Sequence, residues 1–310
     1  MKASAPGKII LFGEHAVVYG RPALAVPVAG VRAEVEVRPG SRPGVWITAP
    51  DVGLNEELGS LPAEHPLAAL LKKLLDMLAG PPYPDLQVRI ASNIPVASGM
   101  GSGAAVSVAL VRALAAAVGR SFPDEQVNAL AFEIEKLHHG TPSGIDNTVI
   151  TFGKAVFFVK GRPPEFLRIG EPFTLVIGCT GIPAPTLQSV ADVRKLWQGD
   201  PATWDIVFDG IQALTLLGRD AIQTGTWRHL GPLMNENHAL LQRLTVSSPE
   251  LDSLVVAARA AGALGAKLSG GGRGGNMIAL APESGPAAIA DALHAAGASA
   301  VIITSILAAS

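Results

Sequence analysis

From Val31 to Val37 apolar residues alternate with charged ones, with Val31, Ala33, Val35 and Val37 set against Arg32, Glu34 and Glu36. A period of two predicts a half-buried strand, and Arg38-Pro39-Gly40 supplies the turn that ends it. Leu86, Val88 and Ile90 alternate with Gln87 and Arg89 in the same way. Between these strands, Leu67, Leu70, Leu71, Leu74, Leu75 and Leu78 recur at helical spacing and predict a helix over 66–78. A glycine-rich turn, Ser98-Gly99-Met100-Gly101-Ser102-Gly103, then precedes a run of small apolar residues, which predicts a helix from Ala104 to about Val118. Asp124 is set to cap the next helix, which runs to about His138. Pro142-Ser143-Gly144 breaks the chain, 152–159 reads as a strand, and 173–177 reads as another. The last third carries several helices, a second glycine cluster at 270–275 and two closing strands. Strands gather early and helices follow the glycine turns, so the expected class is α+β rather than a regular βαβ succession. Gly161-Arg162-Pro163-Pro164 is the best linker candidate and divides the chain into domains 1–165 and 166–310.

Composition narrows the function classes. With 48% hydrophobic and 16% charged residues in 310, the chain has ample material for a core and little reason to be disordered. A net charge of −2 argues against nucleic acid as a partner, because such binders cluster a basic excess on one face. The N-terminal apolar run, Ile9 to Phe12, is too short for a signal-peptide core. The uncharged stretch 295–310 falls short of the roughly 20 apolar residues of a membrane span. Cys179 is alone, so no intrachain disulfide can form and a reducing compartment fits. A cytoplasmic globular protein is expected.

The candidate chemistry lies in the glycine segments. A helix that starts directly after a glycine turn offers unpaired N–H groups and a positive dipole end, which together hold phosphate. There is no GxxxxGK[ST], so this is not the P-loop form of such a cradle. The second cluster contains a literal GxGxxG from Gly270 to Gly275, but Asn276 to Leu280 beyond it reads as a strand rather than a helix. A dinucleotide fingerprint therefore fails on context. The first segment, Ala5-Pro6-Gly7-Lys8-Ile9-Ile10-Leu11-Phe12-Gly13-Glu14-His15, gathers Lys8, Glu14 and His15 around a short apolar strand.

Together these segments resemble the GHMP kinase superfamily and, within it, the mevalonate kinases. The first motif is matched from Ala5 to Val18, the phosphate loop from Pro95 to Ala105, and the late glycine motif from Lys267 to Leu280. A fourth, His139-Gly140-Thr141-Pro142-Ser143-Gly144-Ile145-Asp146-Asn147, narrows the subfamily. The resemblance implies a two-domain α+β fold with the active site in the cleft between domains. It implies ATP and mevalonate as substrates, Mg²⁺ as the metal that accompanies ATP, and a possible homodimer. Asp146 stands where the family places an aspartate beside the acceptor hydroxyl, and Lys8 where it places a lysine near that aspartate. Glu135, eleven residues before Asp146, matches the magnesium-binding glutamate. Glu133 is a rival, but two positions away on a helix it points elsewhere. Pro95, Ser98, Gly99, Met100, Gly101, Ser102, Gly103 and Ala104 match the ATP-phosphate loop. Glu14, His15, Ser143, Gly144, Ser269, Gly270 and Gly271 match substrate-side positions.

One departure concerns the metal. The family loop usually carries a second serine whose hydroxyl reaches it, and Gly103 stands at that position. Ser102 or a water is the expected replacement, since Mg²⁺ commonly keeps several waters. Arg273 interrupts a run that is often all glycine. Rival readings are a phosphomevalonate, homoserine or galactose kinase, and a ligand sensor on the same fold without catalysis. The related decarboxylases usually lack a lysine at the position of Lys8.

Overall fold

The computed structural model of the chain describes residues 1–95, 98–139 and 143–308. The first half forms β1 (Lys2–Phe12), β2 (Ala23–Pro39), β3 (Val45–Ala49), β4 (Leu54–Glu57), α1 (Pro66–Leu78), β5 (Leu86–Ser92), α2 (Ser102–Ala117), α3 (Asp124–His139), α4 (Ile145–Phe152) and β6 (Val156–Phe158). The second half forms β7 (Glu165–Phe166), β8 (Phe173–Cys179), α5 (Thr186–Gly199), α6 (Pro201–Thr224), α7 (Leu230–Arg243), α8 (Pro249–Ala260), β9 (Gly265–Ser269), β10 (Asn276–Leu280), α9 (Ala287–Ala295) and β11 (Ala300–Ile306). The chain divides into two compact units: residues 1–7, 31–94 and 101–153 form one, and residues 8–30, 95–100 and 154–310 the other.

In the first unit the alternating segments pair as their pattern requires. Val35 of β2 lies opposite Ile90 of β5, and Ile47 of β3 lies parallel to Val88. All four of these apolar side chains are buried. The leucine face of α1 is buried at Leu70, Leu71, Leu74, Leu75 and Leu78. Helix α2 packs against α1, α3 and α4, which explains a sequence made almost wholly of small apolar residues. Its one charged side chain, Arg112, donates to Asp124 Oδ1 and to the Thr151 carbonyl, both at 2.7 Å, and so ties three helices together.

The second unit is built on an antiparallel sheet in the order β11-β8-β10-β9. Every residue of β9 and β10 is buried, and Val176, Phe208, Ile211, Leu241, Leu251, Leu268 and Met277 share one core. Helix α7 approaches β9 backbone to backbone: a Cβ on Gly265 would lie 2.0 Å from the Gly231 carbonyl oxygen. Residues 23–25 of β2 pair with β6, which pairs in turn with β7. Cys179, at the end of β8, is buried, and burial pushes its thiol up to about 11. No helix among the described residues is long and apolar enough to cross a membrane.

Three expectations need correction. Residues 152–159 are not one strand: Phe152 closes α4, Gly153 caps it with φ of 59°, and β6 covers only three residues. Gly153, in the left-handed region, ends the helix and separates Phe152 from the strand that follows. Strand β2 begins at Ala23 rather than Val31, because its first six residues are almost wholly buried and carry no alternation to read. Helix α2 begins at Ser102, two residues earlier than expected.

Candidate active site

In the second unit the first, second and late glycine motifs interlock. Lys8 is buried, and its backbone N–H donates to the Met100 carbonyl at 3.0 Å. Six residues on, Glu14 turns into the protein. Its Oε1 accepts from Lys267 Nζ and its Oε2 from Asn237 Nδ2 at 3.2 Å, with both charged side chains fully enclosed. Burial lowers the Lys267 pKa, and the Glu14 carboxylate opposes that shift. His15 follows with a φ of 61°. Its Nε2 lies 3.1 Å from the Gly271 carbonyl oxygen, which can only accept, so Nε2 carries the proton. Burial lowers its pKa to about 4, and the nearby Arg273 charge acts in the same direction. At neutral pH the ring is therefore uncharged, and Nδ1 is left as an acceptor.

The late glycine motif backs onto these groups. Ser269 Oγ donates to the Ile10 carbonyl at 2.9 Å and accepts from the Ile10 N–H at 3.2 Å. A Cβ on Gly272 would lie 1.9 Å from the Val246 carbonyl oxygen, and one on Gly275 would lie 2.9 Å from that of Ser98. Asn276 Nδ2 donates to the same Ser98 carbonyl at 2.6 Å, while Ser98 Oγ donates to the Pro95 carbonyl at 2.7 Å. The start of the phosphate-loop segment is thus held from one side by Lys8 and from the other by Gly275 and Asn276.

In the first unit, α2 opens at Gly101, whose φ of 73° places it in the left-handed region. The first helical hydrogen bond is Ala105 N–H to the Gly101 carbonyl at 2.9 Å, so the helix itself leaves the N–H groups of Ser102, Gly103 and Ala104 unpaired. No side chain caps the helix and no acid sits in its first turn. This end can accept an anion. Glu135 on α3 is buried, and among the described residues a Cβ on Gly103 would lie 3.6 Å from its Oε1. Glu133 faces the other way, exposed and paired with Lys136 at 2.6 Å. Helix α4 opens at Gly144 with φ of 90°, and Ser143 Oγ accepts from the Ile145 N–H at 3.3 Å. Asp146, half-buried, occupies the first turn, where the helix dipole favours a carboxylate. Asn147 Nδ2 donates to Asn128 Oδ1 at 2.6 Å and joins α4 to α3.

A magnesium ion that accompanies nucleotide phosphates takes one or two protein oxygens and fills its shell with phosphate oxygens and water. Glu135, a buried carboxylate beside the start of α2, fits that donor set, and Ser102 is the neighbouring hydroxyl. Among the described residues no group of three His, Cys, Asp or Glu side chains could hold an ion by itself. That is compatible with a metal carried in by its substrate.

The expected site residues therefore fall in both units. Pro95, Ser98, Gly99, Met100, Lys8, Glu14, His15, Ser269, Gly270 and Gly271 belong to the second, and Gly101, Ser102, Gly103, Ala104, Glu135, Ser143, Gly144 and Asp146 to the first. Val96 and Ala97 of the phosphate-loop motif, and Gly140, Thr141 and Pro142 of the fourth motif, lie outside the described residues. Sequence reasoning placed Lys267 and Asn276 inside the late motif but missed the pairing of Lys267 and Asn237 with Glu14 and that of Asn276 with Ser98. A lysine inside the otherwise apolar strand Gly265–Ser269 was the available signal, since a buried charge requires a partner. Around Asn237 the helix is a polar brace: Asn235 Oδ1 accepts from the Ala266 N–H at 3.0 Å, and His238 Nδ1 from that of Leu268 at 3.3 Å.

Residues 66–154 match the family model described as GHMP kinases N terminal domain, and residues 219–299 match that described as GHMP kinases C terminal. A protein of Thermococcus sibiricus named mevalonate kinase is 37% identical over 312 residues, covering 95% of this chain and 93% of the relative. The crystal structure of L. major mevalonate kinase in complex with R-mevalonate superposes with a TM-score of 0.88 at 33% identity, covering 100% of this chain and 97% of that one. Streptococcus pneumoniae phosphomevalonate kinase, solved with phosphomevalonate and AMPPNP, reaches a TM-score of 0.81 over 98% of this chain and 99% of its own. Its identity is 16%, and the likeness is one of fold alone.

Proposed function

This chain belongs to the GHMP kinase family, and from that premise we propose that it is a mevalonate kinase, moving the γ-phosphoryl group of ATP to the 5-hydroxyl of mevalonate to give 5-phosphomevalonate for isoprenoid precursor synthesis. The observation that carries the reading is likeness over 95% of the chain to proteins named mevalonate kinase. Lys8, Glu135 and Asp146 all stand at their motif positions.

Phosphoryl transfer asks a protein for position and charge more than for covalent help. Asp146 orients the acceptor hydroxyl and takes up its proton as the new bond forms. The Lys8 ammonium stabilises the developing alkoxide. The N–H groups at the start of α2, from Ser102 to Ala104, cradle the ATP phosphates, with Pro95 to Gly101 shaping the approach. Glu135 and Ser102 would hold the Mg²⁺ that accompanies ATP, and the ion would supply charge neutralisation at the phosphate oxygens. His15 offers Nδ1, an acceptor at neutral pH, which suits a substrate hydroxyl better than a carboxylate. Glu14, with both oxygens engaged by Lys267 and Asn237, supports the turn that presents His15. Ser143, Gly144 and the Ser269–Gly271 backbone complete the substrate side.

The division into domains 1–165 and 166–310 belongs to the same proposal, supported by two family-model matches that fall on either side of residue 165. So do a cytoplasmic location, which the unpaired Cys179 supports, and a homodimer. The test is ADP release from Mg·ATP with mevalonate, phosphomevalonate, homoserine or galactose offered separately, and the product identified by mass. Mevalonate alone should yield a monophosphate, and Asp146→Asn should abolish it. Turnover only with another acceptor would replace the substrate. Binding without turnover would favour a sensor, the reading that Gly103 suggests.

A further inference from the structure

We propose that Arg273 is a positioning residue that latches the late glycine motif and, through the Gly271 carbonyl, holds His15 in place. The proposal rests on the kinase reading for its kinetic consequence. Arg273 sits among Gly270, Gly271, Gly272, Gly274 and Gly275, and its φ of 57° is one that glycine adopts without strain. A bulky residue stays there only where its contacts compensate. Here the guanidinium donates from one terminal nitrogen to Asp192 Oδ2 on α5 at 2.6 Å and from Nε to the Thr245 carbonyl at 3.2 Å. Its backbone N–H donates to the Val246 carbonyl at 2.8 Å. Thr245 is itself left-handed, with φ of 59°, so two strained residues clasp one another across the turn that follows α7.

The latch closes a loop with no slack on that side, since Gly272 lies against Val246 so closely that no side chain could fit. One residue earlier, the Gly271 carbonyl accepts from His15 Nε2. A shift of the loop would therefore reach the His15 ring directly. The anchor on α5 is well set: Asp192 also accepts from Gln188 at 2.9 Å and from Lys195 at 3.4 Å, and the Arg273 guanidinium holds its carboxyl down at about 2. Among the described residues neither Arg273 nor Asp192 hydrogen-bonds a group assigned to the chemistry; the Arg273 charge does help to lower the His15 pKa, and Asp192→Asn and Arg273→Lys leave that charge in place.

The test compares wild type, Arg273→Gly, Asp192→Asn and Arg273→Lys in two ways. Kinetics are measured with Mg·ATP and mevalonate, and amide exchange is followed by mass spectrometry over 14–19 and 269–277. Arg273→Gly removes the strain together with the latch, so its melting temperature should stay within about 2 °C of wild type. Its kcat/KM for mevalonate should fall roughly tenfold, the scale on which a contact outside the site modulates it. Asp192→Asn should follow the same course and Arg273→Lys should recover part of the loss. Exchange in both segments should quicken while the rest of the chain is unchanged. Wild-type kinetic constants in Arg273→Gly, unchanged exchange, or a loss of activity matched by a collapse in melting temperature would each overturn the latch. If wild type itself fails to phosphorylate mevalonate, the kinase reading falls, and the exchange result alone decides the latch.

Discussion

At the scale of single residues, Gly103 is the informative departure. Its backbone is helical, and among the described residues a Cβ there would meet Glu135 Oε1 at an ordinary contact distance of 3.6 Å. Gly103→Ser should therefore fold without strain and place a hydroxyl beside the carboxylate proposed to hold the metal. The expected outcome is a lower magnesium concentration at half-maximal rate, with stability unchanged or raised by up to ~0.5 kcal/mol through helix propensity. A magnesium titration of the steady-state rate checks it, and an unchanged or raised requirement would count against Glu135 as the ligand. Residues of this kind are legible from sequence, because a motif names a position whatever the fold does around it. Lys267 is the opposite case. A lysine in a buried strand announces that some partner exists, but Glu14 lies 253 positions away and nothing local to Lys267 names it.

At the scale of elements, that pair binds β9 to the turn after β1, and α7 joins it through Asn237. Breaking a buried pair by removing one partner leaves an uncompensated charge, so Lys267→Met should cost about 3–5 kcal/mol. Adding Glu14→Gln should recover most of that loss, since a neutral amide can still meet Asn237. Urea unfolding of the single and double variants separates the two terms, and equal destabilisation in both would refute the account. The same scale shows which elements could be read in advance. Helix α1 matches its expected range and strand β5 starts where expected and runs two residues longer, because each has one buried face, which imprints a period on the sequence. Helix α4 and the start of β2 are buried nearly all round and carry no period. No element is expected over most of α4, and the strand expected from Phe152 overlaps only its last residue.

At the scale of the whole molecule, buried histidines couple the fold to pH. His15 and His238 each have a pKa near 4 because burial disfavours the charged ring, against 6.5 when unfolded. Between those values the unfolded chain binds protons that the folded chain refuses. Stability should therefore fall as pH drops from about 6.5 toward 4, at up to ~2.7 kcal/mol per pH unit for two such groups. Asp192, held near 2 in the folded chain against 3.8 unfolded, leaves the slope between pH 7 and 5 to the histidines and adds to the decline only toward pH 4. Urea unfolding at pH 7, 6 and 5 should show the decline, and His238→Gln should reduce the slope by about half. A flat profile would mean that the rings take up protons without unfolding. The α+β class was visible from the order of strands and helices. The interlocking of Lys8, Ser98 and Asn276 was not, because it depends on backbone carbonyls, which no side-chain pattern records.

The lone thiol has a practical consequence. Maleimides and disulfide reagents attack the thiolate, and Cys179 is both buried and held protonated to about pH 11. The folded wild-type chain is therefore blank to such reagents. A single cysteine introduced at an exposed position would be the one atom they label, so a dye or spin probe can be attached without first building a cysteine-free background.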